Sequence, residues 1–516
     1  MENLRELVEF CVKRNAEGTA FTWYEGNVMF KKTYSEFAAE IEMFGNYLLS
    51  VGVKEGDRAA VVGENSYYWI LSYFSVVNIG AVVVPIDKEL PSEEIINILK
   101  DCGAKTVIYS PNMKGLAANL EKKAGVKNFV SMDILKNLSD AENAGIKSKR
   151  TEKDVDSDAV STIIYTSGTT GKPKGVMLSQ KNIVYNAVSA AENVLIEGTS
   201  LLILPLHHTF AFTAGVVAVL YYGYPIAISR SLRTLLADLK VFKPQNMFVV
   251  PLLLEGIYKR IWAAAKDKKR SNILKAAIGI GNGLSRAGID IRSRLFKSVY
   301  EPLGGNLMTI ICGGAPLDSK LAYGFADLGI NVLNGYGITE CSPIVAVNCN
   351  NHNKPESVGR VLSCNEVKIE DADEDGNGEI WVRGSNVMAG YYKKKRGEEF
   401  DGEWFNTGDL GHLDDEYYLY ITGRKKNIII LSNGKNIYPE EIEEKLKRIK
   451  NVLEVVVYCE DNALAAEIYA EDTEGIREGV DKYNRGVPLH KYIKTVHFRD
   501  TEFEKTTTHK IKRKYN

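Results

Sequence analysis

Between residues 164 and 175 the chain reads IYTSGTTGKPKG. Hydroxyls (Thr166, Ser167, Thr169, Thr170), glycines (Gly168, Gly171, Gly175) and lysines (Lys172, Lys174) follow an apolar strand. Glycine frees backbone N–H groups to face an anion, hydroxyls donate hydrogen bonds, and ammonium groups neutralise charge, so this composition suits a polyphosphate. A plain surface hairpin rich in Ser, Thr and Gly has the same look. The run is not a Walker loop, because Gly171-Lys172 is followed by Pro173 where Ser or Thr is needed. Nor is Gly281-x-Gly283 a dinucleotide fingerprint, since Arg286 stands in place of the third glycine. The adjacent His207 and His208 invite a metal reading, but no further His, Cys or carboxylate follows at ligand spacing.

Other short runs follow in order: PLHHTF at 205–210, GGAP at 313–316, NGYGITE at 334–340, GEIWVRG at 378–384, WFNTGD at 404–409, GRKKN at 423–427 and KTTTHKIKR at 505–513. Alone, most have a bland reading. GGAP is a turn, Thr-Glu a helix start, Thr-Gly-Asp another turn, and Arg424 a surface charge. Together with YTSGTTGKPKGV they resemble the signatures of the adenylate-forming (AMP-binding) superfamily of acyl-CoA synthetases, luciferases and peptide-synthetase adenylation domains. The resemblance spans about residues 160–513. The ending TTTHKIKR, with SNGKNIYPEEIE before it, is most similar to bacterial long-chain fatty acyl-CoA synthetases.

The resemblance implies a two-step ligase. A carboxylic acid, a fatty acid foremost, attacks the α-phosphate of ATP to give an acyl-adenylate and pyrophosphate, and the thiol of CoA then displaces AMP. Residues Thr166 to Lys174 would cradle the β- and γ-phosphates. Thr339 would donate to the α-phosphate and Glu340 would hold Mg²⁺. Tyr336 would stack on the adenine, Gly337 would belong to the same nucleotide site, and Gly314 and Ala315 would leave room for the base to lie close to the backbone. Asp409 would accept both ribose hydroxyls, helped by Arg424. Lys510 would bridge the reacting carboxylate and phosphate oxygens; His509 stands where the family usually has Gly, and a non-Gly residue restricts the backbone there. Lys426 falls at the family's hinge. Gly434 would line the pantetheine channel, although the loop IIILSN before it is one residue longer than in acetyl-type relatives. His208 would line or gate the acyl pocket. HHTFAFTAG offers no carboxylate to pair an amine, which disfavours an amino-acid substrate. Two alternatives remain open: transfer to a carrier-protein phosphopantetheine or use of an aryl acid, and a non-catalytic nucleotide- or acyl-binding scaffold. The last would be marked by loss of Glu340, Asp409 or Lys510, and all three are present.

These residues need a scaffold. The chain has 516 residues, with Lys+Arg 65 against Asp+Glu 66, so a globally basic nucleic-acid binder is excluded. Seven cysteines, an odd number without CxxC spacing, fit a reduced cytoplasmic protein rather than a disulfide framework. The N-terminus carries Glu2, Glu6 and Glu9 and has no apolar core of a signal peptide. Two uncharged stretches, 65–86 and 198–229, are long enough to span a membrane, but glycines and prolines divide each into a buried helix–Gly–strand unit. Peripheral membrane association stays open. Thr33 and Glu36 predict a capping box ahead of the stripe Phe37, Ile41, Phe44, Leu48. EVKIE, GEIWVRG and YLYITG between Gly and Asp turns predict antiparallel strands. Pro439, Glu440 and Glu441 open a helix whose apolar face is Ile442, Leu446 and Ile449. The expected architecture is a large N-terminal domain, 1–425, of two α/β lobes plus a β-rich distorted-barrel segment, and a small mobile α+β domain, 426–516. The tail from Lys491 to Asn516 holds eight Lys/Arg against three Asp/Glu, and its bland reading is a solvated basic extension.

Overall fold

The structure, a computed structural model, describes residues 1–137, 155–166, 173–267, 269–430, 436–461, 463–505 and 511–513. Packing groups the chain into two units: Met1–Glu366 with Arg383–Glu403, and Val367–Val382 with Trp404–Asn516. The expected boundary at 425/426 concerns a rotation, which a grouping by packing does not address.

The first unit is α/β and holds two large sheets. One has the strand order Gly390–Tyr391, Lys174–Ser179, Val160–Thr166, Val82–Ile86, Arg58–Val62, Thr106–Tyr109, Asn128–Ser131. Its inner strands are parallel, and Val160–Thr166 turns back antiparallel into Lys174–Ser179. The other has nine strands and runs from Arg360–Val361 through Ile344–Val347, Asn331–Gly337, Thr309–Cys312, Asn246–Val249, Ser200–Leu202 and Ile226–Ile228 to the hairpin of Thr19–Glu25 and Val28–Thr33. Its core strands are also parallel. Parallel strands covered on both faces read as unbroken apolar runs, which is why VVVPI and TIIC carry no alternation.

Local signals place the helices. Thr33 Oγ1 accepts from the Glu36 N–H at 3.2 Å, and Glu36 Oε2 accepts from the Thr33 N–H at 2.7 Å, so the expected capping box starts the helix Tyr34–Ser50. Gly103, left-handed at φ +62°, ends the helix Ser92–Cys102. Both uncharged stretches fold as expected: helix Tyr67–Asn78, Gly80 and strand Val82–Ile86; then a helical run from Phe210 to Tyr222, Gly223 and strand Ile226–Ile228. The two helical runs meet through aromatic rings, with Phe212 against Trp69, Tyr73 and Phe74. The difference from expectation is that Phe210–Val217 is wound as a π-helix, a rare form that recurs at functional sites. Among the described residues no helix is long and apolar enough to cross a membrane.

The second unit begins with antiparallel strands Asn365–Glu370, Gly378–Gly384, Trp404–Leu413 and Leu419–Arg424, as the sequence predicts. It continues into an α+β segment with its own core. Ile437, Ile442 and Leu446 of the helix side pack on Val455, Val457 and Ile468 of a three-stranded sheet, Glu454–Glu460, Ala463–Tyr469 and Ile493–Arg499.

Candidate active site

The hairpin that carries the Ser/Thr/Gly/Lys run is fixed from both ends. Thr166 lies opposite Lys174 in the antiparallel pair, so the chain reverses direction between them. Gly175 is tightly packed; a Cβ there would meet Ile163 Cγ2 at 2.9 Å and Tyr392 Cβ at 3.2 Å. Ser167, Gly168, Thr169, Thr170, Gly171 and Lys172 lie outside the described residues.

A second cluster forms where two neighbouring parallel strands end. Cys312 pairs with Asn334, so Gly313-Gly314-Ala315 and Gly335-Tyr336-Gly337 emerge side by side at the C-terminal edge of the nine-stranded sheet. In open α/β sheets that edge is where ligands bind. Gly314 is exposed with φ +85°, and a Cβ on it would have nothing closer than Val250 Cγ1 at 3.7 Å. The space beside Gly314 is therefore open. Gly337 is glycine for a different reason: a Cβ would fall 1.8 Å from the Pro343 carbonyl oxygen. The chain then makes a single 3₁₀ turn, Thr339–Cys341, which leaves the Thr339 and Glu340 side chains half-buried.

Tyr391 ties these two clusters together, and nothing in the sequence pointed to it. Strand Gly390–Tyr391 pairs with Met177 and Val176 of the Ser/Thr/Gly/Lys hairpin. The Tyr391 hydroxyl donates to Glu340 Oε1 at 2.8 Å, and the Lys174 ammonium sits 4.9 Å from the Tyr391 ring centroid. Burial and the Glu340 charge push the phenol well above its usual range, so it stays a neutral donor. Glu340 is thus one held carboxylate rather than part of a carboxylate cage. That suits Mg²⁺, which takes one or two protein carboxylates and draws its other ligands from phosphate and water.

His207 and His208 follow Pro205 on a loop clamped by Asn65, which donates to the Leu204 carbonyl at 2.6 Å and accepts from the Leu206 N–H at 3.0 Å. The two rings are 4.1 Å apart. With Tyr73, Pro85, Ile164 and Phe212 they line a small cavity that no carboxylate lines among the described residues. The Tyr73 and Phe212 ring centroids lie 3.8 Å apart with the planes tilted by 34°, and the Tyr73 hydroxyl is hydrogen-bonded to Thr162 Oγ1 at 2.6 Å. His207 Nε2 is 3.6 Å from Asp87 Oδ2, too long for a hydrogen bond. Burial, with the Lys88 charge, pushes its pKa down to about 4, so the ring is neutral.

In the second unit Asp409 and Arg424 face each other on adjacent strands, Trp404–Leu413 and Leu419–Arg424. Arg424 Nε lies 2.8 Å from Asp409 Oδ1, and the Asp409 residue is 3% exposed. Thr407 Oγ1 accepts the Asp409 N–H at 3.1 Å, and Gly408 takes φ +71° between them. Lys426 follows on a 3₁₀ turn; desolvation and then the Arg424 charge hold its ammonium below the usual range. Gly434 and Lys510 lie outside the described residues. The described residues nearest Lys510, namely Lys505 and 511–513, are anchored, however. Ile511 bridges to Lys505, and Arg513 makes a two-pronged ion pair with Glu443, at 2.8 and 2.5 Å. Glu443 is buried and also accepts the Val457 N–H at 2.7 Å. At Arg513 the basic tail is therefore packed, not solvated.

The arrangement offers a Ser/Thr/Lys hairpin, a carboxylate held for a cation, an open glycine cradle and a buried carboxylate facing an arginine. The sequence model of the AMP-binding enzyme family matches residues 8–392. A long-chain-fatty-acid–CoA ligase of Mycobacterium bovis is 30% identical over 473 residues, covering 86% of this chain and 77% of that protein. Long-chain-fatty-acid–CoA ligase 1 of Homo sapiens is 30% identical over 487 residues, covering 86% and 70%. Among solved structures, a Mycobacterium tuberculosis fatty acyl CoA synthetase superposes with a TM-score of 0.71 at 24% identity, over 99% of this chain and 97% of that one. The o-succinylbenzoate CoA synthetase of Bacillus subtilis, in complex with ATP and magnesium ion, superposes with a TM-score of 0.75 at 22% identity, over 98% of each. At these identities the structural likeness is one of fold.

Proposed function

Because the chain belongs to the AMP-binding enzyme family of adenylate-forming acid–CoA ligases, we propose that it activates a fatty acid with ATP and passes the acyl group to CoA, releasing pyrophosphate and then AMP. The observation that carries the adenylation half is the link Lys174–Tyr391–Glu340, which joins the phosphate hairpin to the carboxylate assigned to the metal. The fatty acid is supported by the relatives named above and by the absence of a charged side chain among the described residues packed around His208.

In this reading Thr166 to Lys174 hold the β- and γ-phosphates, and Thr339 donates to the α-phosphate. Bound Mg²⁺ at Glu340 supplies charge neutralisation on the phosphate oxygens. Tyr336, Gly337, Gly314 and Ala315 hold the adenine. Asp409 and Arg424 hold the ribose. Lys510 stabilises the charge that builds up as two anions meet. The acyl chain lies beside His208. The segment from Lys426 onward, 426–516, turns as a body between the two half-reactions, with Gly434 lining the thiol channel. A reduced cytoplasm fits the free thiols, of which Cys11 and Cys102 are pushed upward by burial.

The test is purified protein with ATP, Mg²⁺, CoA and fatty acids of graded length, read as AMP and pyrophosphate release. No release with any of them would sink the reading. Mass spectrometry of the product separates acyl-CoA from transfer to a carrier protein, and aryl acids in the same assay test the other alternative. Lys510→Ala should remove adenylation and spare thioester formation from a supplied acyl-adenylate. If both half-reactions survive, Lys510 does not have the assigned role.

A further inference from the structure

Charge on this chain is unevenly placed. The whole carries −1, yet residues 251–300 hold eleven Lys and Arg against three Asp and Glu, a net +8. This segment contains the helices Pro251–Asp267 and Ser271–Arg286. Arg260, Lys266, Lys269, Arg270, Lys275 and Arg286 are exposed and make no ion pair among the described residues. Nothing in the ligase chemistry uses them.

The second helix is also unusual in its apolar residues. Only Gly281 is buried. A Cβ on Gly281 would meet Arg292 Cγ at 3.1 Å and Leu295 Cδ2 at 3.4 Å, and Asn282 Nδ2 donates to Asp327 Oδ1 at 2.7 Å, so these contacts identify the face turned to the body. Ile273, Ala276 and Ile280, spaced three and four apart, form a separate stripe. Ile273 is 65% exposed and Ile280 59% exposed, and Ile289 just beyond the helix is 55% exposed. A helix that keeps isoleucines in water beside unpaired cations has the composition of an interfacial helix, which lies flat with its apolar side chains among lipid headgroups. A second copy of the chain would bring two strongly positive faces together, whereas an anionic bilayer neutralises one.

We propose that the helix Ser271–Arg286, with the basic turn before it, docks the protein on the surface of an anionic phospholipid bilayer. The isoleucines enter the headgroup layer, and Lys269 and Arg270, in the turn at the same end as Ile273, contact the phosphates. The surface works without substrate, so its test is independent of the proposed reaction.

The test is cosedimentation of the full chain with phosphatidylcholine vesicles, with and without phosphatidylglycerol. Binding is expected only with phosphatidylglycerol and should weaken at high salt. The Lys269→Gln/Arg270→Gln variant should lower the partition coefficient about thirtyfold. Ile273→Ser/Ile280→Ser should lower it about tenfold, with both variants melting like the parent. Equal binding to both vesicle types, no binding to either, or binding that survives both sets of substitutions overturns the proposal. A dimer seen by light scattering, broken by the isoleucine variant without any vesicle binding, would assign the face to a second copy and also overturn it.

Discussion

Glu340 and Asp409 are both assigned to hold parts of one nucleotide, and they are built in opposite ways. Glu340 sits half-buried on a short turn and accepts a hydrogen bond from a neutral phenol at 2.8 Å. Asp409 is buried within a ten-residue strand and faces a guanidinium at 2.8 Å. A neutral donor fixes an oxygen and leaves the carboxylate charge for a cation. A cationic partner cancels the charge and leaves lone pairs, which suit neutral hydroxyls. The partner, more than the carboxylate itself, decides between a metal and a diol.

Substitutions can break that contrast. The largest effect is expected from Glu340→Gln, which removes the charge and should lower acid-dependent ATP–pyrophosphate exchange on the order of a thousandfold. A loss of only a few fold would show that no metal depends on this residue. Asp409→Asn removes one of two acceptor oxygens and should raise the KM for ATP about ten- to a hundredfold, with the Mg²⁺ requirement unchanged. If the Mg²⁺ requirement moves instead, the two carboxylates do not divide the work as argued. Arg424→Gln leaves Asp409 buried without its cation; about a tenfold rise in the KM for ATP is expected, with a lower melting temperature. Tyr391→Phe makes the finest cut. It should raise the Mg²⁺ concentration needed for half-maximal exchange five- to tenfold or so, and it should weaken Mn²⁺ binding followed by paramagnetic resonance in the presence of ATP. A Tyr391→Phe protein with wild-type metal response would reduce the phenol to a packing role.

Much of the scaffold was legible because its signals are local. Thr33 with Glu36, Gly103 after an amphipathic run, and Pro439 ahead of two glutamates each mark an element from a few neighbouring residues. The motif positions were legible as well, since their spelling is contiguous. What stayed hidden was set by distant pairing. Tyr391 reaches Glu340 across 51 positions through strand pairing with Val176 and Met177, and Arg513 reaches Glu443 across 70. No spacing rule connects such residues. The π-helix Phe210–Val217 was hidden for another reason. In a fully buried run of apolar and small residues every face is alike, so periodicity cannot distinguish a wider turn from an α-helix.

The placement of the first hairpin has a consequence for how the chain acquires its shape. Thr19–Glu25 is not a strand of the sheet formed by the sequence that follows it. Phe21 pairs with Ile226, and Ile226 in turn with Ser200. During synthesis, residues 19–33 are therefore made before the seven-stranded sheet but find their partner only after its segments between Arg58 and Ser179 have emerged. Such long-range closure is slow and leaves strand edges uncovered while it waits. The nine-stranded sheet is thus completed by a hairpin that precedes the other sheet in the chain, and removing those residues would injure the lobe encoded beyond that sheet rather than the one encoded next to them.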